Sequence, residues 1–115
     1  MLHQLHPAWW LAAGSLLLLL SAISDAADSS ELTARGKIVL QEKCGRCHSV
    51  EAAGESPLKI APPMRDIYAR FPPRELQEEL LEGKVSRHKE MPQIEFSQED
   101  VDAILAYLYS LVARK

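Results

Sequence analysis

The only two cysteines of this 115-residue chain lie in one pentapeptide, Cys-Gly-Arg-Cys-His, at residues 44–48. Two thiols and an imidazole at this spacing permit three kinds of chemistry. They can ligate a structural zinc ion, form a redox-active disulfide, or attach a haem covalently, because Cys-x-x-Cys-His is the attachment motif of c-type haem. The rest of the chain must decide between these three uses.

Zinc and disulfide chemistry find little support elsewhere in the chain. A structural zinc site usually takes four ligands from two separated pairs, whereas this chain has one cysteine pair, and His3, His6 and His88 lie far from it in sequence. A thioredoxin-type Cys-x-x-Cys couple belongs to a βαβ fold, and no segment here has the alternation of a strand. A plain disulfide across two intervening residues would close too small a loop to stabilise the fold much.

The haem interpretation gives a role to both thiols and to the imidazole. Cys44 and Cys47 would each add to a vinyl group of one haem, and His48 would be an axial ligand of its iron. An electron carrier needs a second axial ligand, and methionine paired with histidine raises the reduction potential. Met91 lies in a loop before Pro92, which would stiffen the backbone that presents the sulfur. We therefore predict His48 and Met91 as the two axial ligands, with His88 as the alternative to the methionine.

Two segments have the apolar periodicity of amphipathic helices. In residues 30–43 the apolar positions fall on one face, and Gly36 leaves a dent in it. The second segment opens at Ser97, which together with the next three residues resembles a capping box. The residues predicted to face inward are Leu32, Val39 and Leu40 in the first helix, and Val101, Ile104, Leu105, Leu108, Leu111 and Val112 in the last.

Two shorter helices are predicted between these segments, at residues 64–69 and 74–82. Pro73 suits the first turn of the second of them, and Gly83 is its natural end. Since no strand is indicated anywhere, we predict an all-α fold. Its loops are long for so small a domain, and long loops need something to pack against.

The N-terminal segment has the composition of a signal peptide. Residues 8–23 are apolar or small and carry no charge, and small residues follow at Ser24 and Ala26, the positions that a signal peptidase inspects. We predict that residues 1–26 are removed and that residues 27–115 form one exported domain. The alternative is a retained membrane anchor, although residues 8–23 are shorter than the roughly 20 residues that span a bilayer.

Size and charge limit the function further. The chain has 13 Lys and Arg against 16 Asp and Glu, a formal net charge of −3, and therefore lacks the strongly basic character of nucleic-acid-binding domains. So small a domain buries a limited share of its surface and commonly depends on a disulfide, a metal or a cofactor. Both properties are compatible with an exported haem protein.

Taken together, these features resemble the class I c-type cytochromes, small monohaem proteins of bacterial type, over essentially all of residues 27–115. In that family a first helix ends at Cys-x-x-Cys-His, a later loop carries the methionine ligand, and the C-terminal helix crosses the first one. Gly36 and Leu40 match the family's glycine and bulky apolar residue before the first cysteine. Tyr107 matches the aromatic residue that packs near this glycine. The resemblance implies a cytochrome c fold around one covalent haem c.

The resemblance also implies residues for the haem pocket. Pro62 resembles the proline whose carbonyl accepts the N–H of the axial histidine, a bond that fixes the ring. Met64 falls where the family usually has leucine against the haem, and Tyr68 is a further pocket candidate. Because no tryptophan follows residue 26, other side chains must hold the haem propionates. The candidates are Arg65, Tyr68, Arg70, Arg87 and His88.

The function implied is electron transfer without catalysis, because iron with both His48 and Met91 as ligands has no open position for a substrate. We expect a monomeric periplasmic carrier that docks weakly on dehydrogenases, oxidases or other cytochromes. It should bind no nucleic acid, and should contact a membrane only if its N-terminal segment is retained. The alternatives are a dedicated haem subunit of a periplasmic dehydrogenase or oxidase, and a haem enzyme or gas sensor with an open distal site.

Overall fold

The computed structural model describes residues 28–83 and 90–114. Within these ranges the chain is helical and has no strand, which confirms the predicted all-α fold. None of the helices in these ranges is long and apolar enough to cross a membrane. The predicted signal peptide and its cleavage position lie outside the described residues. The helices are α1 at residues 28–43, α2 at Met64–Arg70, α3 at Pro73–Leu81 and α4 at Gln98–Ala113.

Helices α1 and α4 cross with their backbones in close contact. A Cβ atom added to Gly36 would overlap the backbone carbonyl of Ala103 and would lie 2.9 Å from the Cβ of Tyr107. Beside this crossing, Arg35 of α1 donates a hydrogen bond of 3.0 Å to Asp100 of α4. The dent predicted at Gly36 is therefore the place where α4 approaches α1.

The hydrophobic core forms one cluster, to which α4 contributes the most residues. Helix α4 packs against both α2 and α3, and its predicted inward residues are buried or half-buried. Leu32 departs from the prediction, since 38% of its surface is exposed. The reason is that burial within the described part of α1 begins one turn later, at Gly36. Among the described residues, the largest fully buried side chains are Leu40, Val101, Ile104 and Leu108.

The helix ends follow local chemistry. Ser97 caps α4, as predicted, by accepting a hydrogen bond of 3.2 Å from the backbone N–H of Asp100. The Asp100 carboxylate pairs with Arg35 and so does not serve as the second half of a capping box. Helix α3 begins at Pro73, one residue earlier than predicted, because proline lacks an N–H that the first turn would leave unpaired. It is followed by Gly83 at a φ of +66°, a left-handed conformation that favours glycine.

Candidate haem site

The pentapeptide continues from α1 as a tight turn. The backbone N–H groups of Cys47 and His48 both donate to the carbonyl of Cys44, at 3.1 and 2.9 Å. Cys44 is buried, Cys47 is half-buried, and the two thiols are not joined in a disulfide. This turn brings both thiols and the imidazole to one cavity wall.

The orientation of His48 is fixed by a backbone carbonyl. The ring is 5% exposed, and its Nδ1 lies 2.6 Å from the carbonyl oxygen of Pro62. Because a carbonyl oxygen only accepts hydrogen bonds, the proton of the neutral ring belongs on Nδ1 and the lone pair on Nε2. Nε2 is then the nitrogen able to bind a metal ion.

The segment that carries Pro62 is itself held against the residues after His48. The backbone N–H of Met64 donates to the carbonyl of Ser49 at 2.9 Å. The N–H of Ser49 in turn donates to the hydroxyl of Ser56 at 2.9 Å. These bonds keep the Pro62 carbonyl in place, so the hydrogen bond to the imidazole does not depend on a single flexible loop.

A buried tyrosine secures the residues that follow His48. The hydroxyl of Tyr107, on α4, donates a hydrogen bond of 2.7 Å to the carbonyl of Val50. Burial is also the main reason why the pKa of this phenol is raised above its ordinary value. The chain two residues after His48 is thereby tied to α4 at the level where α4 crosses α1.

Two adjoining cavities open beside these residues. When the space open to solvent is counted, the larger has a volume of about 920 Å³, and His48 and Met91 both line it. The second, of about 870 Å³, shares these two residues with the first and adds Cys47. The wall of the larger cavity is mainly apolar. Its apolar side chains from α2, α3 and the loop before α4 include Met64, Ile67, Phe71, Leu76, Leu80 and Phe96.

The residues around these cavities fit a covalently bound haem. Two thiols, an imidazole and a thioether line the two adjoining cavities, and a covalently attached haem with histidine and methionine as axial ligands would use these four groups. Burial, and secondarily the nearby Cys47, raises the pKa of the Cys44 thiol to about 11. Among the described residues, no group of three or more His, Cys, Asp or Glu could hold a metal ion.

A family comparison decides the assignment. The model of the cytochrome c family matches residues 33–112, a range that includes the pentapeptide, Met64 and Met91. The chain belongs to the cytochrome c family. No significant match was found among curated proteins or solved structures. Members of this family bind haem covalently through a cysteine pair with the spacing of Cys44 and Cys47, and they are generally electron-transfer proteins.

Most of the predicted haem residues of this cytochrome meet at the two cavities. Cys44, His48 and Met91 line both of them, while Pro62 and Met64 line the larger one. Met64 is buried, and Met91 is half-buried. The second axial ligand predicted from the sequence is therefore on the wall of the same space as the first.

The remaining candidates lie away from this space or outside the described ranges. Tyr68 packs against the hydrophobic core from α2 and lines neither cavity. Arg65 donates hydrogen bonds to the carbonyls of Glu51, at 3.2 Å, and Gly54, at 2.7 Å, so its guanidinium group secures the loop after the pentapeptide. His88, the alternative ligand, lies outside the described residues.

Several residues of the larger cavity were missed by the sequence prediction, and Glu79 is a charged one among them. It lines this cavity from α3, a helix from which no pocket residue was predicted. Helical spacing carries the missing signal, because residues three or four apart share one helix face. Glu79 follows Leu76 by three positions and adjoins Leu80, and both leucines line the same cavity.

Proposed function

We propose that this cytochrome carries single electrons on one haem c, joined to Cys44 and Cys47 through thioethers, with His48 and Met91 as axial ligands. The main support is the arrangement of His48. Its Nδ1 is held 2.6 Å from the Pro62 carbonyl, and the same ring lines the cavity that Met91 also lines. The bound haem would supply an iron that alternates between the ferric and ferrous states.

The protein residues would control this exchange by holding both ligands in each oxidation state. The hydrogen bond from Nδ1 to Pro62 keeps the imidazole in one orientation and makes Nε2 more basic. A thioether ligand from Met91 favours a higher reduction potential. The apolar wall, with Phe71 and Leu80 among its residues, excludes water from the ligands. We therefore propose a carrier with a positive reduction potential and no substrate-binding position.

We further propose an exported, periplasmic carrier that docks transiently on other redox proteins near Cys47. In this region the Leu58 N–H donates to the Cys47 carbonyl at 3.1 Å, while 41% of the Leu58 surface and 76% of the Ile60 surface are exposed. The cations Lys43 and Arg46 line the second cavity beside them. An apolar contact of under about 1,200 Å² with a cationic edge would suit a weak and brief encounter.

Replacement of Met91 tests the axial ligation. Optical spectra of the oxidised wild-type protein should contain a sulfur-to-iron charge-transfer band, and Met91→Ala should abolish it. Carbon monoxide should then bind the reduced variant rapidly and the reduced wild type slowly at neutral pH. Met64→Leu is the matched control, because Met64 is the other methionine on the cavity wall. This control should keep the band.

The opposite results identify which part of the proposal fails. Rapid binding of carbon monoxide by the wild type would contradict a carrier with two protein ligands. If the band survives in Met91→Ala and disappears in Met64→Leu, the axial ligand is Met64 and the proposed assignment to Met91 is wrong. The intact mass of protein isolated from the periplasm tests the remaining elements, since it should equal residues 27–115 plus one haem.

A further inference from the structure

Glu79 is unusual among the residues that line the larger cavity. Within residues 28–83 and 90–114 it is the one carboxylate on this wall, and nearly all the other lining side chains are apolar. Its neighbours on α3 that face the same cavity, Leu76 and Leu80, are only 4% and 2% exposed. An acidic side chain therefore stands in an otherwise apolar stripe of the helix.

The surroundings of Glu79 differ from those of Glu78, the residue before it. Glu78 is exposed to solvent and lines neither cavity, whereas Glu79 is half-buried. Among the described residues, none of the ion pairs includes Glu79. The carboxylate charge is therefore not neutralised by a cation in the described part of the chain.

A negative charge at such a wall affects the two oxidation states of an iron unequally. The ferric state carries one more positive charge than the ferrous state, so a nearby carboxylate stabilises it more. Water screens this attraction weakly when the space between the charges is apolar, and strongly when it is solvent. A carboxylate at the cavity, such as that of Glu79, should therefore affect the reduction potential more than one in water, such as that of Glu78.

We propose that Glu79 lowers the reduction potential of this cytochrome by holding a negative charge at the wall of the larger cavity. The inference rests on the proposed function, since it requires a haem iron in that space. Reduction adds one electron from a soluble donor to ferric iron and gives ferrous iron. No bond to Glu79 forms or breaks. Glu79 is accordingly a residue that tunes the potential without being an iron ligand.

A purely structural role for Glu79 leads to a different expectation. Long side chains often lay their methylene groups along apolar surface while the charged end reaches water. If Glu79 does only this, its charge is screened as well as that of Glu78. Removal of either charge would then shift the reduction potential by the same small amount.

The test compares Glu79→Gln with Glu78→Gln in redox titrations of the purified holoproteins at pH 7. Both substitutions remove one negative charge and preserve side-chain size, so effects of net charge are the same in the two variants. Glu79→Gln should raise the equilibrium constant for reduction by a fixed reference couple about tenfold, which is ~59 mV for one electron. Glu78→Gln should change it less than about twofold. The difference should persist in 1 M salt, where the Debye length is about 3 Å.

Each result has a distinct meaning. Equal shifts in the two variants, or no shift in Glu79→Gln, would overturn the role of Glu79 and leave the proposed function intact, because both proteins would still carry covalent haem. Loss of the sulfur-to-iron band in Glu79→Gln would also overturn it, since the residue would then support the ligand and not the potential. A wild-type protein without covalent haem would instead overturn the proposed function itself.

Discussion

The crossing of α1 and α4 is packed by the protein's own atoms, whereas the larger cavity is lined by residues that fit a haem. At the crossing, even the single methyl group of an alanine at position 36 would overlap the backbone of Ala103. At the cavity, mainly apolar side chains line a space that opens to solvent. A covalently bound haem would cover these side chains, as a close-packed interior requires. The packing of the first region involves the chain alone, and that of the second would involve the haem.

Removal of the covalent attachment of haem should lower the stability of the protein more than any other change considered for these two regions. We expect Cys44→Ala with Cys47→Ala to lower the free energy of unfolding by several kcal/mol, because the cavity wall then loses the group that fills it. So small a domain has little stability to lose, and most of its helical circular dichroism should disappear at 25 °C. Cys47→Ala alone, which keeps one thioether, should remain folded. A cooperative urea transition in the double variant would mean that the crossing suffices without haem.

The crossing itself is tested by Gly36→Ala, which should destabilise the holoprotein by about 3 kcal/mol in urea denaturation. The added methyl group meets the backbone carbonyl of Ala103, which cannot move as a side chain can. Helix propensity alone predicts the opposite sign, a gain of about 1 kcal/mol. Ala34→Gly is the control, since this exposed position of α1 should follow propensity and lose about 1 kcal/mol. If Gly36→Ala stabilises the protein, the two helices are not in close contact.

A smaller effect should come from the contact that joins the crossing to the haem side. Tyr107→Phe leaves the buried carbonyl of Val50 without its hydrogen bond of 2.7 Å, and should cost about 1.5 kcal/mol at pH 7. Tyr109→Phe, which removes the same hydroxyl from a side chain that is 63% exposed, should cost almost nothing. Equal losses in the two variants would contradict a specific role for the Tyr107 hydrogen bond.

The same variant has an expected pH dependence. Burial raises the pKa of Tyr107 in the folded protein above the ordinary value of 10.0. Above about pH 10 the unfolded chain therefore releases this proton first, and the free energy of unfolding falls as pH rises. Tyr107→Phe should lose less of its stability between pH 9 and pH 11 than the wild type does. Parallel stability curves for the two proteins over this range would contradict the raised pKa.

The crossing was the more predictable of the two regions. Residues on α4 repeat at helical spacing over several turns, so its buried face followed from the pattern, and Ser97 identified its start. Gly36 could be recognised as a contact point because a glycine within an apolar helix face leaves room for a neighbour. The prediction that Leu32 belongs to the core was wrong. Periodicity predicts which face of a helix turns inward, but not where along the helix the contact with another helix begins.

For the cavity, the residues of the pentapeptide could be predicted from the sequence, whereas most of the residues that form its wall could not. The pentapeptide, with Met91, indicated the chemistry through fixed spacing and through residue types that few other sites combine. Glu79 was missed because an acidic residue in a helix is normally taken to face solvent. Its placement depends on how α3 lies against the loop before α4, a tertiary contact that local sequence does not encode. The roles of Arg65 and Tyr68 depend on contacts of the same kind.

The burial of Cys44 has a consequence for how the protein is assembled. Only 8% of this residue is exposed in the folded chain, so an enzyme that joins haem to its thiol would reach it more readily before folding. We therefore expect covalent attachment to precede the packing of α1 against α4. A chain that folds first should mature more slowly.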